Sequence, residues 1–245
     1  MNNLKRYIKL GYKFKEKLNA IKNENQEEKL LVTDMLYSDI LEKSESILLL
    51  TSQQQYRGAP SMLRSIYENY IYIKYIFERR KYVNNRAEAY YLWTQLEIQK
   101  IMNVINSKEK KGEIVRKELI VSAITPFLKN GSIEEMINRY NTLTEGKMVD
   151  LFSKIPNFYS KSIEGKKYSS FELLCEYLDE TFYYEIIYRI LSLEVHGKSK
   201  ELNSYGNWDE FIQYQCNFLI MDSTMILSKH FGLRKELEKI ENYIL

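Results

Sequence analysis

The 245-residue chain has few of the residues that interrupt helices or build tight turns, with nine glycines and three prolines in all. A sheet protein of this length needs many tight turns, so this scarcity excludes most β-rich architectures. Leucine, isoleucine, glutamate and lysine are abundant and favour helices. A hydrophobic fraction of 44% is enough to form a substantial core. We therefore predict an all-α helical bundle that forms a single domain over residues 1–245.

The chain also lacks the residues that most metal sites and cofactor motifs need. Its two cysteines, Cys175 and Cys216, have no CxxC spacing and only two histidines accompany them, so they are expected to be buried thiols. No GxxxxGK[ST], GxGxxG, HExxH or GxSxG pattern is present. P-loop hydrolysis, dinucleotide redox chemistry, zinc proteolysis and serine hydrolysis therefore have no support, and we expect neither a metal nor a cofactor.

Long apolar runs are absent as well. Charged residues interrupt the beginning of the chain, MNNLKRYIKLGYKFKEKL, and no later stretch of about 18 residues is both apolar and free of charge. We expect no contact with a membrane and a cytoplasmic location.

Apolar residues recur at helical spacing along most of the chain. The expected helices cover residues 4–21, 26–55, 60–80, 86–107, 170–196 and 207–230, and a short charged helix follows them. The pattern weakens between residues 107 and 168, where two of the three prolines lie, which indicates an insertion of short helices. Ser132 with Glu135, and Ser169 with Glu172, have the spacing of capping boxes and predict helix starts there.

The first helix is strongly basic. Seven cations against Glu16 give it six net positive charges within 22 residues: Lys5, Arg6, Lys9, Lys13, Lys15, Lys17 and Lys22. Such a face either contacts a polyanion or is simply solvated.

Polar residues form one line in the apolar segment TFYYEIIYRILSLEVHG. We call this line the polar stripe; its members are spaced by 4, 4, 3 and 4 residues and are Thr181, Glu185, Arg189, Ser192 and His196. On a regular helix they project within an arc of about 80°. Because the rest of the helix would be buried, the stripe must face a groove, a partner or a narrow strip of solvent.

The third helix carries a similar line in SMLRSIYENYIYIKYIF, in which Arg64 and Glu68 form an i, i+4 pair. If the two lines face each other, Glu68 is expected to pair with Arg189 and orient its guanidinium group. A structural explanation remains open, because a polar line on a core helix is often only its solvated edge. A histidine near a helix C-terminus also interacts favourably with the helix dipole.

The spacing of Arg189 and His196 resembles the R-x(4–6)-H motif of the HEPN superfamily, which comprises all-helical bundles found in toxins and antiphage proteins. The strings LRSIYE at 63–68 and YRILSLEVHG at 188–197 also resemble a bacterial helical family of unknown function. That family pairs an RS-x-x-E helix with a Y-R-x-x-S-x-x-x-H helix.

The resemblance implies a metal-independent endoribonuclease that acts as a toxin or antiphage defence effector, with RNA as substrate and a homodimer as the working form. It assigns Arg189 to the phosphate and His196 to general acid or base catalysis, roles that these residue types can fill. Ser192, Glu185, Arg64 and Glu68 would support them.

Two other functions fit the same residues. The stripe could line a non-enzymatic groove for a nucleotide, a peptide or a protein partner, or the chain could be a scaffold. The 21 tyrosines suit a protein–protein surface at least as well as a nucleic-acid surface.

Overall fold

The computed structural model describes residues 3–24, 27–55, 58–110, 132–144, 155–159, 168–195 and 208–244. The secondary structure within these ranges is helical and contains no strand, which confirms the predicted all-α fold. No helix in the described ranges is long and apolar enough to cross a membrane. The helices fall into two compact units, Met1–Val83 with Cys175–Leu245, and Asn84–Leu174. The single domain stays a prediction.

We number the helices in chain order. The first six are α1 (Asn3–Glu24), α2 (Glu28–Ser52), α3 (Ala59–Phe77), α4 (Val83–Lys110), α5 (Ile133–Leu143) and α6 (Phe171–Tyr177). A short 3₁₀ turn at Arg80–Tyr82 separates α3 from α4. Helix α7 combines an α-helical turn at Thr181–Tyr183, a π-helical turn at Tyr184–Arg189 and an α-helical stretch at Ile190–Val195. The last two are α8 (Trp208–Phe231) and α9 (Arg234–Ile244).

The core of the first unit lies between α1, α2, α3 and α8, which bury the apolar residues that the helical periodicity predicts. Tyr37 of α2 lies at its centre. Its ring meets the ring of Phe14 of α1 edge to face, with centroids 6.1 Å apart, and its hydroxyl hydrogen-bonds Thr224 of α8 at 2.6 Å. Both cysteines are buried, as predicted, and burial raises the pKa of the Cys216 thiol to about 12.

The second unit is built around α4 and α5. The ring of Phe158 packs against Tyr90 and Trp93 of α4, with centroids 5.0 and 5.8 Å apart. Tyr140 of α5 donates a 2.7 Å hydrogen bond to the carbonyl oxygen of Pro156. Helix α5 is thus one short helix within the predicted insertion over residues 107–168.

Both predicted helix starts are confirmed to within one residue, but the capping hydrogen bonds differ from those of the expected capping boxes. Ser132 occupies the N-cap of α5, but its side chain makes no capping hydrogen bond. At α6 the capping oxygen belongs to Ser170 rather than Ser169, and it accepts a 3.2 Å hydrogen bond from the amide of Leu173. Helix α6 therefore begins one residue later than the Ser169 spacing predicted.

Candidate functional site

Helix α7 is not part of one continuous helix from residue 170, as the sequence predicted. Helix α6 ends at Tyr177, and Asp179 has a backbone φ of 59°, which no α-helix can contain. The π-helical turn then spreads the residues of α7 over wider turns than the 3.6-residue period assumed for the polar stripe. The spacing of 4, 4, 3 and 4 residues therefore does not trace one straight line on this segment.

Three of the four members of the polar stripe that the structure describes face solvent, and the fourth, Ser192, is half-buried. Thr181, Glu185 and Arg189 are exposed, whereas Ile187 and Leu191 are buried on the opposite side. The side chain of Arg189 is 60% exposed. His196 lies outside the described residues, so its position relative to Arg189 stays a prediction.

Arg189 pairs with its own helix. Its Nη1 donates to both carboxylate oxygens of Glu185, at 2.9 and 2.8 Å, and the pair spans one turn of α7. The expected pair of Glu68 with Arg189 is therefore wrong. Glu68 instead accepts a 3.3 Å hydrogen bond from Nε of Arg64, its i, i+4 neighbour on α3.

Arg64 reaches across from α3 to Tyr188 of α7. Its Nη2 donates a 2.6 Å hydrogen bond to the Tyr188 hydroxyl, and its guanidinium carbon lies 4.2 Å from the centroid of the tyrosine ring. The Tyr184 ring stacks on the Tyr188 ring at 5.2 Å with an interplanar angle of 17°. Ser192 donates a 2.5 Å hydrogen bond to the carbonyl oxygen of Tyr188. We call Arg64, Glu68, Tyr188 and Ser192 the Tyr188 cluster.

In the Tyr188 cluster, the partly buried hydroxyl of Tyr188 lies close to one negative charge, on Glu68, and one positive charge, on Arg64. Burial is the largest cause that raises the pKa of Tyr188 above its usual value, and the charge of Glu68 adds to it. Arg64 opposes both. Tyr188 therefore stays a neutral hydrogen-bonding group near neutral pH.

Residues 30–212 of the chain match the family of unknown function DUF5677. The chain belongs to this family. The match extends from α2 to the first turns of α8 and so includes the Tyr188 cluster and Arg189. No curated protein and no solved structure matches the chain.

In this DUF5677 member the structure brings together three of the predicted site residues, Arg64, Glu68 and Ser192, around Tyr188. The other two described ones, Glu185 and Arg189, form the next pair along α7, since Arg189 follows Tyr188 in the chain. Each of the two guanidinium groups is therefore oriented by a carboxylate one helical turn away on its own helix. Such groups can bind a phosphate or a carboxylate.

Sequence reasoning missed a second polar group, at the beginning of α7. Glu180, directly before α7, is buried, and it accepts hydrogen bonds from Tyr70 and Lys74 of α3. Lys74 lies six residues after Glu68 in the apolar end of α3, YIYIKYIF, and a lone lysine in such a run is the one signal that could have revealed a buried partner.

Proposed function

We propose that this DUF5677 member is a metal-independent endoribonuclease that acts in the cytoplasm as a toxin or antiphage defence effector. The observation that carries the proposal is the position of Arg189. Its guanidinium group is exposed on α7, directly after the residue that anchors the helix to Arg64. This placement suits a group that must reach a phosphate from a rigid support.

The ion pair with Glu185 does not prevent phosphate binding. Both partners are largely solvated, with 60% and 45% of their side chains exposed. Exposed pairs of this kind contribute only about 0–1 kcal/mol. A phosphate offers the guanidinium group a bidentate, charge-assisted contact, so it can displace the carboxylate. Until then Glu185 holds Arg189 in place.

In the proposed reaction, His196 takes the proton from a ribose 2′-hydroxyl, and the resulting oxygen attacks the adjacent phosphorus. The bond from phosphorus to the 5′-oxygen breaks, and that oxygen receives a proton from an acid in the site. Arg189 binds the non-bridging phosphate oxygens and stabilises the charge that develops on them. The Tyr188 cluster keeps the helix of Arg189 in place.

The test is RNA cleavage by the purified protein in the presence of EDTA. Arg189→Ala and His196→Ala should each abolish cleavage while leaving the melting temperature nearly unchanged. An RNA with 2′-deoxy sugars should stay intact, because it lacks the nucleophile. Arg234→Ala is the matched control, since Arg234 is an exposed arginine on α9. Cleavage that survives both substitutions, or that EDTA stops, would refute the proposal.

A non-enzymatic binding module is the second candidate, and Phe182 favours it. This ring on α7 is 68% exposed, beside Thr181 on the face that also presents Glu185. Large exposed rings are typical of protein interfaces. We therefore also propose that this face of α7 contacts a protein, in the first instance a second copy of the chain. In sedimentation, wild type should be a dimer and the Phe182→Asp variant a monomer. A wild-type protein that stays monomeric at all concentrations would count against this interface.

A further inference from the structure

A polar cluster around the buried side chains of Glu180 and Tyr70 joins the beginning of α7 to α3 and α8. Its members are Glu180, Tyr70, Lys74 and Asp222, and we call it the Glu180 cluster. Glu180 is only 4% exposed. Its Oε1 accepts hydrogen bonds from the hydroxyl of Tyr70, at 2.7 Å, and from Nζ of Lys74. The Tyr70 hydroxyl lies 2.8 Å from Oδ2 of Asp222 on α8.

The backbone of Glu180 is held as firmly as its side chain. Its amide donates a 2.8 Å hydrogen bond to the carbonyl oxygen of Cys175, which closes the turn after α6. Its own carbonyl oxygen accepts a 3.3 Å hydrogen bond from the hydroxyl of Tyr67 on α3. Glu180 therefore connects α6, α7 and α3 at one point.

The Glu180 cluster stabilises the junction of α7 with α3 less than apolar side chains could. Burying the Glu180 carboxylate costs free energy that its pairing with Lys74, whose side chain is 30% exposed, only partly recovers. Apolar residues of similar volume often stabilise a protein at least as well. The second carboxylate oxygen of Glu180 is buried and has no hydrogen-bond partner in the described residues, which adds to the cost. What a charged pair provides, and an apolar pair does not, is a fixed relative position of the two helices.

We propose that Glu180 is a positioning residue that sets the register of α7 on α3, and thereby sets the position of Arg189, which directly follows the Tyr188 contact of Arg64. Helix α3 holds the segment at two points, at Glu180 through Lys74 and at Tyr188 through Arg64. Most of the π-helical turn lies between these points. Because a π turn departs from the regular hydrogen-bond pattern, a helix that contains one can pack in alternative registers. The contact of Glu180 with Lys74 selects one of these registers.

The inference rests on the proposed ribonuclease activity, and its test separates positioning from stability. Glu180→Gln keeps the shape of the side chain but leaves Lys74 without its charged partner, so both the melting temperature and kcat should fall. The double variant Glu180→Leu with Lys74→Met replaces the ion pair by apolar side chains and should recover the melting temperature. It should not recover kcat, which stays about tenfold or more below wild type with KM little changed, because Arg189 is misplaced.

The matched control is the ion pair between α4 and α5 in the second unit, altered to Arg139→Met with Glu88→Leu. This pair is far in sequence from α7, and the double variant should keep the kcat of wild type. If kcat of the Glu180→Leu, Lys74→Met variant recovers together with its melting temperature, Glu180 is merely structural and the proposal is overturned.

A second readout remains valid if wild type cleaves no RNA and the proposed function fails. Hydrogen exchange of the amides of residues 184–189 should be faster in the apolar double variant than in wild type, while amides of α1 and α2 exchange equally in both. Equal exchange of residues 184–189 in a double variant of normal melting temperature would overturn the positioning role by itself.

Discussion

The guanidinium group of Arg64 lies 4.2 Å from the centre of the Tyr188 ring and also donates a hydrogen bond to the hydroxyl of that tyrosine. One contact thus joins two helices whose residues are 124 positions apart in the chain. Because Tyr188 precedes Arg189, the contact also fixes the helix that presents the proposed phosphate-binding arginine.

Replacing either partner of this contact should weaken the junction between α3 and α7. Arg64→Lys removes the planar group that stacks on the ring, and we expect a loss of about 1 kcal/mol in the free energy of unfolding. Tyr188→Phe keeps the ring but removes the hydroxyl, with a similar loss of about 1 kcal/mol. Urea unfolding of the two single variants and the double variant measures the coupling. Strictly additive losses would show that the two side chains do not interact.

Gly11 allows α1 and α2 to approach closely, and Gly11→Ala should destabilise the protein. An added Cβ would collide with Cδ2 of Leu41 and come within 3.1 Å of the Tyr37 hydroxyl, both in the core. Overpacking costs about 1–3 kcal/mol, and the better helix propensity of alanine returns only about 1 kcal/mol. Adding Leu41→Ala removes the obstructing methyl groups, so the double variant should lose less than the sum of the single losses in thermal unfolding.

Asp34 should stabilise the contact of α1 with α2 in a pH-dependent way. Burial raises its pKa, but the hydrogen bond and charge of Lys22 and the charge of Lys15 outweigh burial and lower the pKa below 3.8. The stabilisation is therefore present above the unfolded pKa and is lost as pH falls through the lower folded pKa. Asp34→Asn should destabilise the protein at about pH 7, and the difference from wild type should shrink at about pH 3. A difference that stays constant in urea unfolding at both pH values would contradict this.

His230 should lower the free energy of unfolding as the pH falls from 6.5 to about 4, a less acidic range than the one in which Asp34 titrates. Burial first, and then the charges of Lys29 and Arg80, lower its pKa from 6.5 to about 4, although Glu27 opposes them. As pH falls below 6.5, the unfolded histidine binds a proton that the folded one does not, so the native state loses stability until the pH reaches about 4.

His230→Phe keeps a ring against Phe77, whose centroid lies 4.7 Å from that of His230, but removes the titrating group. The free energy of unfolding of this variant should therefore fall less than that of wild type between about pH 7 and pH 5. If the free energy of unfolding of the two proteins changes equally with pH, the pKa of His230 is the same in the folded and the unfolded state.

Much of the helical architecture is readable from the sequence because it depends on local periodicity. The apolar spacing predicted α1, α2, α3, α4 and α8 to within a few residues, and both cysteines are buried as expected. Arg64 and Glu68 were recognised as a pair because i, i+4 neighbours on a helix are close whatever the rest of the fold does.

The shape of α7 and its contacts with α3 were not predictable from the sequence. The break at Asp179, the π-helical turn and the burial of Glu180 arise where α7 must fit against α3 and α8, and a regular 3.6-residue period predicted none of them. The sequence by itself determined that these candidate residues lie on helices, namely Arg64, Glu68, Glu185, Arg189 and Ser192. Only the tertiary structure decided that Arg64 contacts Tyr188 of α7 and that Glu180 is buried against Tyr70 and Lys74 of α3. The reason is that spacing along a helix specifies which residues share a face, whereas partners from segments over a hundred residues apart are set by how the helices pack.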